Sequence, residues 1–392
     1  MGRPWLTKHA AMVPTYGMVE IERYIKTLPP ADLIKLSLGE PDFDTPDHIR
    51  ESAILAIREG KTHYTPGDGM SDLREAIANK LRRENGLSYP WDQISVVSGS
   101  QEGISVIAEA IFEEGDEVIM SNPYYPPYFI NTVLRGSKPV FVPLLPENGY
   151  QMMASDIRKA LTSRTKAIII VSPNNPTGGV QSIEELKAIG EVAIENDLLV
   201  VSDEIYESII YDGHKHYSIG SLPGMLERTI TQNGFSKAYS MTGWRIGYFG
   251  APLELCPKLQ EIHRATAICA SSISQYAALA ALTGPQDCVA RMAKEFELRR
   301  NLALKILREI PDLMVVEPRG AFYFFPDFSA YTDSDREIVS EFVRKTEVVT
   351  LPGSSFGSLG KNHVRISFAS SLERLQEGIE RIKKYLALRR QL

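Results

Sequence analysis

The sequence predicts an α/β protein with a mostly parallel sheet flanked by helices, joined to a smaller α+β unit. Three observations carry that reading. Between residue 94 and about residue 250, short apolar, β-branched runs alternate with stretches whose apolar residues recur at helical spacing. Buried strands separated by helices pair in parallel through right-handed crossovers. Beyond about residue 285 the texture shifts to one long helical stretch, several short strand-like runs and a closing basic amphipathic helix.

In chain order, residues 18–25 offer a short amphipathic helix, and residues 37–46 (SLGEPDFDTP) exclude regular structure through Gly39 and two prolines. A helix is expected over 46–59, with Ile49, Ala53, Ile54 and Ile57 on its apolar face and Gly60 as its stop. Residues 63–69 read as a loop, and Ser71 as the cap of the next helix. Strands are expected at 94–98, 117–120, 139–142, 166–171 and 197–202, with helices at 101–113 and 183–195. A strand at 228–232 follows, then another that begins near Arg245. The last unit is predicted as a helix over 287–310, strands at 314–316, 321–325 and 364–368, and a helix over 371–390. The expected division is a large domain of residues 46–285 and a small domain of residues 1–45 and 286–392, with an N-terminal arm. No Ser/Gly-rich linker separates the two, so they are expected to pack closely.

Hydrophobic content of 43% and charged content of 23% are ordinary for a soluble globular chain. A net charge of −6 gives no electrostatic case for nucleic acid or an anionic membrane. Apolar runs such as 167–171 have strand length and cannot cross a bilayer. The first residues lack the apolar core of a signal peptide, and Gly2 with Arg3, Pro4 and Thr7 fits a myristoylation pattern poorly. Cys256, Cys269 and Cys288 are odd in number and lack metal spacing, which reads as reduced thiols in a cytoplasmic protein. His214 and His216 lie in a polar turn and are expected to be solvated; no metal site is expected.

Several constellations carry chemistry. Lys237 sits among small residues just past a strand; an amine acts as a nucleophile only when desolvated or set beside other cations, and Arg245 can supply that cation or grip a phosphate. A solvated loop lysine is the ordinary alternative. Residues 98–103 (SGSQEG) join a strand to a helix, where free N–H groups and the helix dipole favour anions, although the run is no nucleotide P-loop. Residues 122–128 (NPYYPPY) form an aromatic, proline-stiffened segment, for which packing is the alternative. Residues 172–179 (SPNNPTGG) place amides where open α/β sheets bind ligands. Asp203 ends a strand, either as a helix cap or as a working carboxylate. Arg365 lies inside an apolar strand, which is costly unless an anion meets it; a structural salt bridge is the alternative. Residues 353–357 (GSSFG) fit a serine-hydrolase elbow, but a strand rather than a helix is expected to follow, so that reading is rejected.

Residues 236–248 (SKAYSMTGWRIGY) resemble the cofactor-lysine segment of class I/II aminotransferases, pyridoxal-phosphate (PLP) enzymes of the aspartate aminotransferase fold, fold type I. Companion motifs occur in family order over roughly residues 35 to 370. The resemblance implies PLP held by Lys237 as an aldimine. Arg245, Ser236, Gly99, Ser100 and Gln101 would hold the phosphate, with Tyr64 reaching it from the neighbouring subunit of a homodimer. Tyr125 would stack on the pyridine ring, Asn175 and Tyr206 would meet its phenolic oxygen, and Asp203 its nitrogen. Arg365, Asn175 and the Gly39 backbone would bind the substrate carboxylate. Gly234 stands where many relatives carry serine.

The implied activity is ping-pong transfer of an amino group to a 2-oxo acid, expected to be 2-oxoglutarate. An L-amino acid is the donor, with aspartate or aromatic substrates favoured. Tyr16, Gly17, Tyr64 and Tyr323 are pocket candidates, and no distal-carboxylate arginine stands out. PLP lyases, decarboxylases and synthases share the fold and form the alternative. A catalytically inert sensor would need a fused DNA-binding segment, for which there is no room before residue 35.

Overall fold

The computed structural model describes residues 5–15, 17–27 and 32–390; Gly2, Arg3, Pro4 and Tyr16 lie outside them. Its centre is a seven-stranded sheet of β1 (Ile94–Val97), β2 (Glu117–Asn122), β3 (Lys138–Pro143), β4 (Thr165–Val171), β5 (Leu199–Asp203), β6 (Thr229–Gly234) and β7 (Gly247–Gly250). The order is β1-β7-β6-β5-β4-β2-β3, and every pairing is parallel except the two made by β7. β4 shows why its sequence is a continuous apolar run: Ile168 and Ile170 enter one core while Ala167 and Ile169 enter another on the opposite face. Helix Ile183–Glu195 covers the first face with Leu186, Ile189 and Val192, and starts on Ser182, whose hydroxyl accepts from the Glu185 N–H. Helices Ser100–Ile111 and Cys256–Ala267 cover the second.

The parallel strands all end on one edge, and the antiparallel β7 begins there. Gly247 lies opposite both Gly234 and Val97, so the loop from β6 to β7 is held against the end of β1. Lys237 and Arg245 ride on that loop.

A second set of elements packs on the first face. Strand Val364–Ser367 is the middle of an antiparallel sheet between Leu351–Pro352 and Tyr323–Phe324, and Ile34–Lys35 pairs in parallel with Val348–Val349. Helices Asp287–Arg308, Asp335–Thr346 and Leu372–Arg389 complete it. One apolar core runs from Ile168 and Leu186 through Phe324 and Phe342 to Ile379.

Four local expectations are corrected. Ser71 is the first residue of helix Ser71–Lys80 and caps nothing; the Met70 N–H before it donates to the buried Gln275 side chain instead. On helix Asp47–Arg58 the buried face is Ile49, Ala53 and Ala56, leaving Ile54 and Ile57 38% and 56% exposed; the helix lies against the alanine-rich Ser272–Thr283, which sets that face. Residues 314–316 form no strand, only a bridge from Met314 to Asp327. Arg245 precedes β7 rather than opening it, at a left-handed φ of 50°.

Candidate active site

Asp203 ends β5, is 3% exposed and starts no helix. Its carboxyl accepts from the Tyr128 hydroxyl at 2.8 Å and from the Ile205 N–H at 3.2 Å. Two donors are few for a buried carboxylate. Burial pushes its pKa up to about 6, against the pull of the Tyr128 hydrogen bond and the charge on Lys237.

Lys237 is partly buried on the β6–β7 loop, and its Nζ donates to the Gly39 carbonyl at 2.5 Å. Burial drives its pKa down to about 8; the Arg365 and Arg245 charges act in the same direction and Glu40 opposes them. The amine lies 5.9 Å from the ring centre of Tyr206. Tyr206 is buried, with its hydroxyl 2.7 Å from that of Tyr323.

The left-handed turn at Arg245 lays its guanidinium against Gly99, at the start of helix Ser100–Ile111. A Cβ at Gly99 would collide with that guanidinium, and Gly99 itself sits at φ 90°, so only glycine fits. The first N–H groups of the helix have no intrahelical acceptor. They converge with Arg245 and the Ser236 hydroxyl on one corner built for an anion.

In the turn after β4, the Asn174 side chain is consumed locally, accepting from the Thr177 N–H and hydroxyl. Asn175 therefore faces inward and accepts from Arg365 Nη1 at 2.9 Å, while Arg365 Nη2 donates to the Ser37 carbonyl at 2.6 Å. The guanidinium is sandwiched between the rings of Tyr323 and Phe356, 4.5 and 5.0 Å from their centres. Its Nε is buried with no hydrogen-bond partner, and among the described residues no carboxylate pairs with it. The structural salt bridge weighed for Arg365 is not there.

A cavity of about 220 Å³ gathers Gly39, Ser100, Gln101, Tyr125, Asn175, Asp203, Tyr206, Ser236, Lys237, Arg245, Tyr323 and Arg365. Gly99 stands just behind Arg245. Tyr64 does not line it and is 80% exposed. Gly17 packs on Ser355 rather than on the cavity, and after the GSSFG run comes only a single 3-10 turn, Ser358–Gly360, before strand Val364–Ser367. A larger cavity, about 900 Å³, lies between residues 43–50 and 285–299, where Arg50, Arg291 and Arg299 stand among the carboxylates of Asp44, Asp47, Asp287 and Glu295 and, among the described residues, no lysine amine lines it.

Sequence reasoning missed Tyr128, which holds Asp203, and the Tyr206–Tyr323 contact. It also misjudged His216, which is not solvated: Nε2 meets the buried Glu204 at 2.9 Å, beside Glu207. Burial works against protonation of His216, but Glu204 and Glu207 outweigh it and raise its pKa. Lys80, bound to Glu207 and Asn85, already serves this cluster as its cation.

A family model described as aminotransferase class I and II matches residues 31–382. The chain belongs to the class I and II aminotransferases. It is 45% identical over 361 residues to a probable aspartate/prephenate aminotransferase of Aquifex aeolicus, covering 91% of each chain. To aromatic-amino-acid aminotransferase 2 of Thermococcus litoralis it is 42% identical over 357 residues, 90% of this chain and 92% of the relative. Among solved structures, Thermus thermophilus aspartate aminotransferase with maleate superposes with a TM-score of 0.92 at 37% identity, covering 97% of this chain and 99% of the other. The fold is accordingly fold type I, and no described helix is long and apolar enough to cross a membrane.

Family membership implies PLP, and the cavity of this aminotransferase suits that group. Its anion corner matches a phosphate, its under-donated Asp203 matches a ring N–H, and its partly buried amine matches an aldehyde.

Proposed function

We propose that this aminotransferase moves the amino group of aspartate or an aromatic L-amino acid to 2-oxoglutarate by a ping-pong mechanism. The observation that carries the reading is the pairing, in one cavity, of the Lys237 amine with Arg365, a buried guanidinium that no carboxylate of the chain meets. The names of the relatives support the donor class, and the Tyr125 and Tyr206 walls offer an aromatic side chain a surface.

PLP would be held covalently by Lys237, with its phosphate on Arg245, Ser236 and the Gly99–Ser100–Gln101 turn. Asp203 would pair with the ring nitrogen, Asn175 and Tyr206 with the phenolic oxygen, and Tyr125 with the ring face. Bound PLP supplies the electron sink for the pair left when the Cα–H bond breaks. Arg365 takes the substrate carboxylate bidentately, its Nε gaining the acceptor it lacks, and the Gly39 backbone closes the other side. Lys237, once its amine is free, would serve as the base that takes the Cα proton and the acid that returns it; a pKa near 8 leaves enough neutral amine at pH 7 to 8 for that task. Asp203 would be kept ionised by a ring N–H and would in turn keep that nitrogen protonated.

We further propose residues 46–285 as the large domain and residues 1–45 and 286–392 as the small one. Tyr64, exposed on its loop, would reach the phosphate in the partner's site of a cytoplasmic homodimer.

The test is the visible absorption of the purified protein loaded with PLP, before and after single amino acids are added. Conversion to the pyridoxamine form by aspartate, glutamate or an aromatic amino acid, reversed by 2-oxoglutarate, supports the reading. A visible band that survives Lys237→Ala overturns the lysine assignment, and release of ammonia or carbon dioxide overturns the transfer.

A further inference from the structure

Tyr323 opens strand Tyr323–Phe324 directly opposite Ser367, so Arg365, two residues earlier on the neighbouring strand, shares its face on the diagonal. That register places the Tyr323 ring under the Arg365 guanidinium at 4.5 Å. The ring is fully buried, with Phe322 at 4.9 Å, so it is a fixed platform. Its far end does something else: the hydroxyl lies 2.7 Å from that of Tyr206, across 117 residues of chain, and fills the space where Gly39 would carry a Cβ. One side chain therefore touches the guanidinium, the phenol and the backbone that flank the reacting centre.

We propose that Tyr323 is a positioning residue that couples the carboxylate-binding arginine to the Tyr206 phenol, its ring setting one and its hydroxyl the other. This rests on the functional reading above. A hydroxyl that donates into the Tyr206 oxygen leaves the Tyr206 proton for the cofactor's phenolic oxygen and makes it a stronger donor. Without it that oxygen loses stabilisation in its anionic form. The lysine-bound cofactor then stays protonated to higher pH.

The experiment compares Tyr323→Phe and Tyr323→Leu as PLP-loaded enzymes, reading the pH titration of the visible band and the KM for the amino acid. Phenylalanine keeps the platform and removes only the hydroxyl. It is expected to move the spectral midpoint upward by about half a unit or more while KM stays within about twofold. Leucine removes the platform as well and is expected to raise KM about tenfold. A Tyr323→Phe midpoint equal to wild type overturns the inference, as does a KM change as large as that of leucine. If the wild-type protein forms no visible band with PLP, the functional reading falls and takes this one with it. If wild type titrates normally and both variants match it, only the role of Tyr323 falls.

Discussion

Two buried carboxylates sit on opposite edges of the same sheet. Glu117 opens β2 on the edge where strands start, and Asp203 closes β5 on the edge where they end. Glu117 accepts from the Thr162 hydroxyl at 2.6 Å, Arg164 at 2.9 Å and Lys138 at 3.1 Å, and those hydrogen bonds, Thr162 first, hold its pKa down at about 2. Asp203 has a phenol and one amide, and burial lifts its pKa to about 6. The chain completes one site with its own donors and leaves the other short of them. The first edge serves the fold; the second is strained toward a ligand, because a carboxylate buried with too few donors lowers stability until something meets it.

The widest break of that contrast is Lys237→Ala. It removes the amine and is expected to lower turnover at least about ten-thousandfold, measured in single-turnover absorbance; a loss below tenfold would sink the assignment. Asp203→Asn is expected to cost about a thousandfold in kcat/KM, yet to stabilise the PLP-free protein. The folded pKa of Asp203 lies above its unfolded 3.8, so this group loses stability as pH rises toward about 6. The loss is about 3 kcal/mol above that point. Scanning calorimetry at pH 7.5 should therefore show a higher Tm for the variant, and a lower one contradicts the strained-edge account.

Arg365→Lys keeps a charge but loses the fork. It is expected to raise KM for the amino acid about fiftyfold with the visible spectrum unchanged; an altered spectrum with normal KM would place Arg365 on the cofactor instead. The smallest effect belongs to the completed edge. Glu117→Gln should leave kcat/KM within about twofold while lowering Tm at neutral pH. Its stabilisation is present above pH 4.5 and lost as pH falls toward about 2, so acid titration should bring the variant and wild type together.

The strand-end motifs were legible because their chemistry is local. Asn175, Asp203 and Lys237 each follow an apolar run within a few residues, and a parallel sheet brings such ends to one edge. What was hidden depended on distant partners or on backbone sign. Tyr125 and Tyr128 share one run, and only the helix Pro126–Leu134 turns Tyr128 under Asp203. His216 looked polar because its carboxylate partner, Glu204, lies 12 residues earlier, just past the end of β5. Ser71 matched a capping pattern, but Gln275 satisfies the helix start. Arg245 read as a strand residue because nothing in WRI announces a positive φ.

The contact between Gly39 and the Tyr323 hydroxyl makes two positions behave as one. Any methyl group at residue 39 meets an oxygen that is buried and cannot swing away. An engineer who wants a side chain at 39, to narrow the cavity for smaller substrates, must first shorten residue 323. A library that varies the two sites separately samples mostly clashes, whereas paired exchange opens a route to altered substrate choice.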